Sequence, residues 1–185
     1  MTTLTAPRAM TAEEFLAWEI AQEEKHEFVD GRIVAMAGAT RAHQMIALNT
    51  ALALRARLRG GPCMALHEQK ILTPRGNWRY ADVAVDCGPQ AMTDLAATEP
   101  RLVVEVESPS TSMIEELERL EDYQSVPSVS LVLVVAQSRA RARLYLRDGA
   151  GWRQLDAAGL GEAIELPSLG ITLPMAEIYE GVEFG

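Results

Sequence analysis

Short runs of apolar residues, each bounded by turn residues, predict the strands of this protein. Residues 102–107 are rich in valine and are followed by Ser108-Pro109-Ser110-Thr111, which is typical of a buried central strand that ends in a turn. Trp78 to Asp86 and Val129 to Val135 have a similar character, whereas arginine or tyrosine alternates with alanine or leucine over residues 139–146. Such alternation is typical of a half-exposed strand. The pattern therefore predicts a sheet with buried central strands.

Three segments have the apolar spacing of helices. Thr11 and Glu14 form a capping-box signal, which predicts a helix over about residues 11–24. A second helix is expected from Thr40 to about Arg59, and a third over about residues 112–124. The apolar stripes are Ala42, Met45, Leu48, Leu52 and Ala56 in the second helix and Met113, Leu117 and Leu120 in the third. We expect these stripes to pack on the sheet.

Turn signals join several strands into hairpins. Asp30-Gly31 is a strong turn signal between the short strands His26 to Val29 and Arg32 to Met36. A loop of turn residues at 73–77 is expected to join a strand over Cys63 to Leu72 to the strand that begins at Trp78. The first half of the chain therefore predicts two hairpins.

The order of the elements indicates the fold class. A helix, a hairpin and a second helix precede a series of strands that is interrupted by one more helix, which indicates an α+β or mixed α/β fold around one sheet. The chain has 185 residues, a length that suits one domain with a sizeable core. We expect a flexible arm at residues 1–9 and a single domain over residues 10–185, with a last helical turn near Met175 to Tyr179.

Charge is distributed unevenly along the chain. The formal net charge of −9 argues, as a global number, against a nucleic-acid partner. However, Arg41 to Arg79 contains seven lysines or arginines and one acid, Glu68, while acids concentrate in residues 13–30 and 115–122. The sequence is therefore compatible with a local basic surface.

Cysteine content and hydropathy indicate the cellular compartment in which we expect the protein. Cys63 and Cys87 do not make a disulfide framework, and the N-terminus does not look like a signal peptide. We therefore expect two free thiols in a reducing cytoplasm. The longest apolar run, Leu131 to Ala136, is far too short to span a membrane.

Acidic residues near the ends of two predicted strands are the candidate functional residues. Alternate residues of a strand share a face, so Val103, Glu105 and Glu107 are expected on one side of the central strand. A buried, unpaired Glu105 would be costly, so it needs a cation, a hydrogen-bond partner or a proton. Asp82 lies on a neighbouring predicted strand, and two such carboxylates form a plausible divalent-metal site. Glu107 and Asp86 could instead mark the points where the strands reach water.

Several segments together resemble the Uma-two family of restriction endonucleases, within the PD-(D/E)xK nuclease superfamily. The resemblance covers roughly residues 10–180 and implies a restriction-endonuclease-like mixed sheet flanked by helices, with the active site at one end of the sheet. Each motif alone is weak, but their order and spacing are fairly specific. The motifs are His26 to Gly31 with Ile33-Val34, His43-Gln44, Gln69-Lys70-Ile71, Arg79 to Val83, Leu102 to Val106, Ser108 to Thr111, and Tyr123.

The resemblance implies a metal site. Asp82 matches the aspartate of the PD motif, with Ala81 in place of the proline, and Glu105 matches the second acid of the family pattern. Both would bind Mg²⁺ or Mn²⁺, together with the carbonyl of Val106. Glu27 and His43 match an acid and a histidine that are expected near the site. Alternatively, His43 could be a core or capping histidine, and Glu27 could be a surface charge.

The lysine of the superfamily motif is missing. The position two residues after the second acid is Glu107, and the helix position at which this family commonly carries a lysine is Arg119. Lys70, on a neighbouring strand, could partly substitute. Arginine can stabilise developing negative charge but cannot act as a base, because it stays protonated. Arg119 could also simply pair with Glu115, one helical turn earlier.

The function that the resemblance implies is metal-dependent cleavage of DNA, and such nuclease folds are often homodimers. Nucleic acid is then expected to follow the basic segments, with Arg55, Arg57, Arg75 and Arg79 as candidate contacts. The alternative is a catalytically weak or inactive nuclease fold that serves as a nucleic-acid-binding or dimerisation module. Metal binding without cleavage would favour this alternative.

Overall fold

A computed structural model describes residues 10–36, 38–89, 91–108 and 112–184. The expected arm at residues 1–9 and most of the turn after the central strand lie outside these ranges. The helices are α1 (Ala12–Glu19), α2 (Arg41–Arg57), α3 (Met113–Ser125) and α4 (Met175–Ile178), with a 3-10 turn at Pro167–Leu169. The strands are β1 (His26–Val29), β2 (Arg32–Ala35), β3 (Met64–Leu72), β4 (Trp78–Asp86), β5 (Pro100–Val106), β6 (Leu131–Val135), β7 (Arg141–Asp148), β8 (Gly151–Ala158), β9 (Ala163–Leu166) and β10 (Ile171–Pro174).

One sheet of eight strands organises the molecule, and it confirms the expected mixed α and β fold. Its order is β2-β1-β4-β5-β6-β7-β8, and β3 pairs with β4 beside this path. The pair β5–β6 is parallel, and the other pairs in the sheet are antiparallel. Parallel neighbours need a crossover connection, and α3 provides it. The hairpin of β9 and β10 forms a second, two-stranded sheet that the turn-rich composition of the tail did not indicate.

The two faces of the sheet carry different parts of the core. Leu102, Val104 and Val106 of β5 pack in a cluster with residues of α2, α4 and the β9–β10 hairpin. Val103 packs in another cluster, with Tyr123 of α3. The predicted alternation of β5 is therefore confirmed. Helices α2 and α3 lie on opposite faces of the sheet, and the end of β5 lies between them.

Capping residues define where the helices begin. Thr11 and Ser112 each form a capping box, with Glu14 and Glu115 respectively, and the Thr40 hydroxyl accepts a hydrogen bond from the backbone of His43. The first helix is shorter than predicted and ends at Glu19. Within the described ranges, no helix is long and apolar enough to cross a membrane.

The predicted apolar stripes of α2 and α3 are largely wrong. Leu48 and Leu52 are more than half exposed, and so are Met113 and Leu117. The buried face of α2 instead includes Ile46, Ala47, Thr50, Ala51 and Leu54. Thr50 is tolerated there because its hydroxyl donates a hydrogen bond to the carbonyl of Ile46 at 2.7 Å. The face that packs on the sheet is therefore set by small residues and one satisfied hydroxyl as well as by large apolar side chains.

The two cysteines are not free thiols, contrary to expectation. Cys63 and Cys87 form a disulfide, which joins the segment before β3 to the segment after β4. Their neighbours Met64 and Asp86 are paired in the sheet, so antiparallel pairing brings the two sulfurs together. The argument from free thiols to a reducing cytoplasm therefore no longer applies, and a cytoplasmic location stays a prediction.

Candidate active site

Strand β4 changes its neighbour along one edge, and the candidate site lies at that point. One edge of β4 pairs with β3 at every residue except Asp82. On the other edge, Val83 to Asp86 pair with β5, and Trp78 pairs with Phe28 of β1. Residues 79–82 therefore face a gap between β1 and β5. We call this gap the fork.

Side chains replace the missing strand in the fork. The backbone N–H of Tyr80 donates a hydrogen bond to Glu27 Oε1 at 2.9 Å, and the Tyr80 carbonyl accepts one from Arg119 at 3.5 Å. The N–H of Val106 donates to Asp82 Oδ2 at 2.7 Å. These contacts satisfy backbone groups that a continuous strand would otherwise pair. The fork thus collects carboxylates from β1 and β4 beside the end of β5.

Asp82 of β4 lies beside the end of β5, next to Glu105. Backbone N–H groups of a strand point within the plane of the sheet, so the Asp82 carboxylate lies near that plane, next to the Glu105–Val106 peptide. His43 approaches it from α2, with Nε2 3.3 Å from Asp82 Oδ2. The hydrogen bond with Asp82 raises the pKa of His43 above its ordinary value, although burial opposes the shift. His43 is therefore a site histidine in addition to lying in the first turn of its helix.

Glu105 points toward α3 and is largely shielded from water. Its side chain is 17% exposed and accepts a hydrogen bond from the Tyr123 hydroxyl at 2.6 Å. Burial raises the pKa of Glu105 to about 8; the positive charge of Arg119 opposes this shift, and the negative charge of Asp82 adds to it. Arg119 lies 3.8 Å from Glu105 Oε1. Glu105 therefore tends to hold a proton near neutral pH.

A buried ion network supports the α3 side of the fork. Glu27 is 3% exposed and accepts hydrogen bonds from both Arg119, at 2.7 and 3.1 Å, and Arg79, at 3.1 Å. Arg79 also donates to Asp122 of α3 at 2.7 Å, and Asn77 donates to both oxygens of Asp122. The alternatives in which Glu27 is a surface charge and Arg119 pairs with Glu115 are therefore not what the structure shows. The network fixes Arg119 beside Glu105.

Comparison with known proteins gives the family. The family model of Uma2, described as "Putative restriction endonuclease", matches residues 12–176. The chain belongs to the Uma2 family. The resemblance drawn from the sequence motifs is therefore confirmed at the level of the family.

Relatives of this Uma2 chain include two proteins of Synechocystis sp. One, named "Uncharacterized protein slr1290", is 32% identical over 95% of this chain and 94% of its own length. The other, "Uncharacterized protein sll1609", is 25% identical over 92% of this chain and 100% of its own length. A solved structure from Anabaena variabilis, described as "a putative nuclease belonging to DUF820", superposes with a TM-score of 0.75 at 14% identity. It covers 94% of this chain and 99% of that one, which shows a shared restriction-endonuclease-like fold.

Most of the catalytic and metal-binding residues predicted from the sequence come together in this Uma2 protein. Asp82, Glu105, Val106, Glu27 and Arg119 meet at the fork, joined by His43. Sequence reasoning missed the supporting residues, which are Asn77, Asp122 and the network role of Arg79. It quoted Tyr123 only as part of a motif. A tyrosine four residues after Arg119 shares its helix face, which was the available signal.

Lysine is absent from the described surroundings of Glu105. The chain has two lysines, Lys25 and Lys70. Lys70 forms an ion pair with buried Glu19, whose other oxygen accepts a hydrogen bond from the Tyr80 hydroxyl at 2.8 Å. Lys25 pairs with Glu68. Lys70 therefore has a partner away from Glu105, and Arg119 is the cation that lies beside that carboxylate.

The four arginines expected to contact nucleic acid fall in two separate places, the end of α2 and the contact of the β3–β4 hairpin with α3. Arg79 is buried in the fork network, and Arg57 forms an ion pair with Glu177 at 2.6 Å. Arg55 and Arg57 are in the last turns of α2, about 18 Å along the helix axis from its His43 end. Arg75, in the turn between β3 and β4, lies 3.8 Å from Glu121. The structure does not gather these side chains around Glu105, and their role stays a prediction.

The donor atoms of the fork suit a hard divalent cation. Among the described residues, no group of three or more histidine, cysteine, aspartate or glutamate side chains is arranged as a ready metal cage. Mg²⁺, however, commonly takes only one or two protein carboxylates and fills its other positions with water and phosphate oxygens. Asp82 and Glu105 supply two carboxylates, and Val106 adds a backbone carbonyl. The residues present therefore fit Mg²⁺ or Mn²⁺.

Proposed function

We propose that this Uma2 protein is a metal-dependent endonuclease that hydrolyses phosphodiester bonds of DNA. One observation carries the proposal: the Asp82 carboxylate bonds to the N–H of Val106, directly after Glu105, where β4 and β5 separate. Two acids from adjacent strands at the end of a restriction-endonuclease-like sheet are the arrangement that such hydrolysis needs. Family membership and the shared fold support the same conclusion.

The metal in this proposal is Mg²⁺ or Mn²⁺, held by Asp82, Glu105 and the carbonyl of Val106. When bound, such an ion polarises the phosphate and lowers the pKa of an attacking water. Glu105 would have to release its proton to become a ligand, because metals bind the deprotonated carboxylate. The Tyr123 hydroxyl would keep Glu105 in one orientation through its 2.6 Å hydrogen bond.

The other side chains of the fork would act by charge and by proton transfer. His43 bonds to Asp82 and has a raised pKa, so it would hold the Asp82 carboxylate in place and keep a proton close to it. Arg119 would offset negative charge that develops on the phosphate, since a guanidinium stays protonated. Its two hydrogen bonds to Glu27 restrict how far it can move toward a substrate.

The absence of lysine near Glu105 favours a second candidate function. With Lys70 paired to Glu19 and Arg119 held by Glu27, no side chain described near Glu105 matches the lysine of the superfamily motif. Arginine cannot deprotonate a water. A nuclease fold with weak or no activity, which serves as a DNA-binding or dimerisation module, is therefore the alternative. Metal and DNA binding without cleavage would identify it.

Plasmid nicking with Mg²⁺ or Mn²⁺ separates the two functions. The wild-type protein should nick supercoiled plasmid, and Asp82→Asn should lose nearly all of this activity while its thermal melt shows a folded protein. Asp148→Asn is the matched control, because it makes the same chemical change at the exposed last residue of β7 and should keep full activity. Activity that survives both Asp82→Asn and EDTA would overturn the endonuclease proposal.

We also propose that the protein acts as a homodimer, because two sites can cut both strands of a duplex in one encounter. Sedimentation equilibrium at micromolar protein measures this directly. A species of twice the chain mass of 20.2 kDa is expected. A monomer that cleaves both strands at one position in a single encounter would contradict the dimer.

A further inference from the structure

A groove on the α3 side of the sheet begins next to the candidate site. Its volume is about 190 Å³, and it is lined mainly by Glu107, Val134, Ala136, Arg139, Arg141 and Arg143. None of its arginines was among the expected nucleic-acid contacts. The groove is therefore a basic feature of the site that the sequence motifs left unassigned.

Strand register places the groove in line with Glu105. Glu105 of β5 pairs with Val134 of β6, and Val134 pairs with Arg143 of β7, so the three residues form one row across the sheet. Neighbouring strands lie about 4.8 Å apart, which puts Arg143 roughly 10 Å from Glu105. Each DNA strand carries one phosphate per about 3.4 Å of helix axis. A phosphate at Arg143 would thus be about two or three nucleotides from one at Glu105.

The arginines of the groove are not equally neutralised. Arg143 donates to Glu107 at 2.6 Å and also pairs with Glu116 of α3, while Arg141 pairs with Asp156 at 3.0 Å. The Arg139 side chain is exposed and makes no hydrogen bond or ion pair with the described residues. Arg139 is therefore the cation of the groove that is free to meet an anion.

A second exposed cation lies close to the same end of the groove. The Thr40 hydroxyl, at the start of α2, bonds to Gln137 at 2.5 Å, and Gln137 in turn donates to the carbonyl of Glu107. This contact places Arg41, the first residue of α2, near the turn that carries Arg139. Arg41 is also exposed and without a carboxylate partner in the described part of the chain. Within the described residues, the groove therefore contains one unpaired cation, Arg139, and a second, Arg41, lies near its end at Gln137.

We propose that this groove binds the phosphate backbone of DNA, with the phosphate at Arg143 two or three nucleotides from the bond at Glu105. Arg139 makes the principal contact, and Arg143 contributes when the phosphate replaces Glu116. The inference rests on the proposed nuclease function, because it assumes that DNA passes over Glu105. A phosphate fits the groove because the planar guanidinium offers several N–H donors in the geometry of phosphate oxygens.

Fluorescence anisotropy with a labelled DNA duplex tests Arg139. The measurement is made at low salt with EDTA, because the chelator prevents cleavage. Arg139→Gln should weaken binding about 3- to 10-fold. It should also reduce the slope of log K against log salt by about 0.9, the value of one lost phosphate contact. Arg153→Gln is the matched control, because Arg153 is an exposed arginine of β8 on the opposite face of the sheet. It should change binding less than about 2-fold.

The competition at Arg143 is tested on α3. Glu116→Gln should tighten binding, because it frees Arg143 for a phosphate. Glu118→Gln removes the same charge from an exposed residue of the same helix that does not pair with Arg143. A clearly larger gain for Glu116→Gln than for Glu118→Gln supports the groove. Equal gains would show that only the total charge of α3 matters, which contradicts the role of Arg143.

The outcomes distinguish this inference from the proposed function. If Arg139→Gln and Arg153→Gln bind DNA equally while the wild type cleaves with Mg²⁺, the groove inference is wrong and the nuclease function stands. If Arg139→Gln alone weakens binding and the wild type never cleaves, the groove stands and the protein is the binding module. Absence of any DNA binding at micromolar protein would overturn the groove.

Discussion

Glu105 has an environment that opposes its charge. Its carboxyl lies under α3, where burial raises its pKa to about 8 from an ordinary value of 4.5. Arg119 offsets part of this effect, but Arg119 is already hydrogen-bonded to Glu27. Because a perturbed carboxyl in a partly open site is typical of functional residues, Glu105 is the residue whose protonation should control the site.

Replacement of Glu105 by glutamine should stabilise the protein at high pH. The folded-state pKa lies above the unfolded one, so the folded protein binds an extra proton between about pH 4.5 and 8, and stability falls as the pH rises through this window. Glu105→Gln keeps an acceptor for Tyr123 and removes this loss. One pKa unit corresponds to about 1.4 kcal/mol of stability, and 1 kcal/mol shifts Tm by about 2–4 °C in a chain of this size. The Tm of Glu105→Gln at pH 8 is therefore expected to exceed that of the wild type by at least about 3 °C.

Thermal melts at pH 5, 6.5 and 8 measure this difference. The gain of Glu105→Gln over wild type should be smallest at pH 5 and should grow toward pH 8. Glu118→Gln, at an exposed position of α3, should show no such growth. A difference that is constant across the three pH values would mean that Glu105 is ionised throughout.

Replacement of Arg119 by lysine should raise metal-dependent cleavage and lower stability. A lysine ammonium can orient a water, and the neutral amine can take a proton from one, whereas arginine stays protonated and cannot act as a base. The same change loses at least one of two hydrogen bonds to Glu27, at a cost of about 1.5–3 kcal/mol. A well-placed acid–base group is worth about 10²–10⁴-fold, and a retrofitted lysine should give less, about 10-fold.

Plasmid nicking with Mg²⁺ or Mn²⁺, together with a thermal melt, tests this substitution. Adding Asp82→Asn to Arg119→Lys should abolish the gain, which excludes a contaminating nuclease. Equal, chelator-insensitive activity in wild type and Arg119→Lys would show that Arg119 does not occupy the lysine position of the site.

At the scale of elements, α3 is attached to the sheet by charges as well as by apolar packing. Met113 and Leu117 are exposed, so much of the contact near the fork comes from Tyr123, Arg119 and Asp122. Arg79 of β4 connects Asp122 to Glu27 of β1. This buried guanidinium therefore helps to hold the strand, the hairpin and the helix in register, beside the Arg119–Glu27 pair.

Loss of that guanidinium should be strongly destabilising. Arg79→Leu leaves two buried carboxylates without their shared partner, and breaking a buried ion pair in this way costs about 3–5 kcal/mol. Arg75→Leu is the matched control: Arg75 and Glu121 are 58% and 64% exposed, so the loss of their pairing should cost less than about 1 kcal/mol. Urea unfolding followed by circular dichroism measures both. Similar costs for the two variants would contradict the structural role of Arg79.

At the scale of the whole molecule, one covalent link joins the two ends of the β3–β4 hairpin. Cys63 and Cys87 are 24 residues apart in sequence, and a link that closes a loop of this length restricts the unfolded chain by up to about 3.5 kcal/mol. The disulfide is at the open end of the β3–β4 hairpin, whereas the fork is near the turn at the other end. It therefore stabilises the strand that carries Asp82 without contacting the site.

Reduction of the disulfide should lower the melting temperature by several degrees. The double variant Cys63→Ser/Cys87→Ser should melt like the reduced wild type and should not respond to dithiothreitol. Thiol titration of the unfolded, unreduced wild type should find no reactive cysteine. Two reactive thiols in protein purified without reductant would restore the original expectation of free cysteines.

The site was partly predictable from the sequence, because some of its signals are local. Asp82 and Glu105 stand near the ends of valine-rich runs, and His43 follows a capping threonine, so strand and helix patterns locate them. Their meeting place was not predictable, since Tyr123 reaches Glu105 from another element and Arg119 reaches Glu27 across 92 positions. Lys70 was expected at the site, but it pairs with Glu19, which is 51 positions away.

The sequence by itself determined the elements whose causes lie within a few residues. Strand β4 has its predicted bounds, Asp30-Gly31 makes the predicted turn, and β5 has its predicted alternation, because turn chemistry and the two-residue period of a strand are local properties. Only the tertiary structure decided the buried face of α2, the pairing of the cysteines and the fork between β1 and β5. Each of these depends on which distant segments become neighbours in the sheet, and local spacing does not encode that choice.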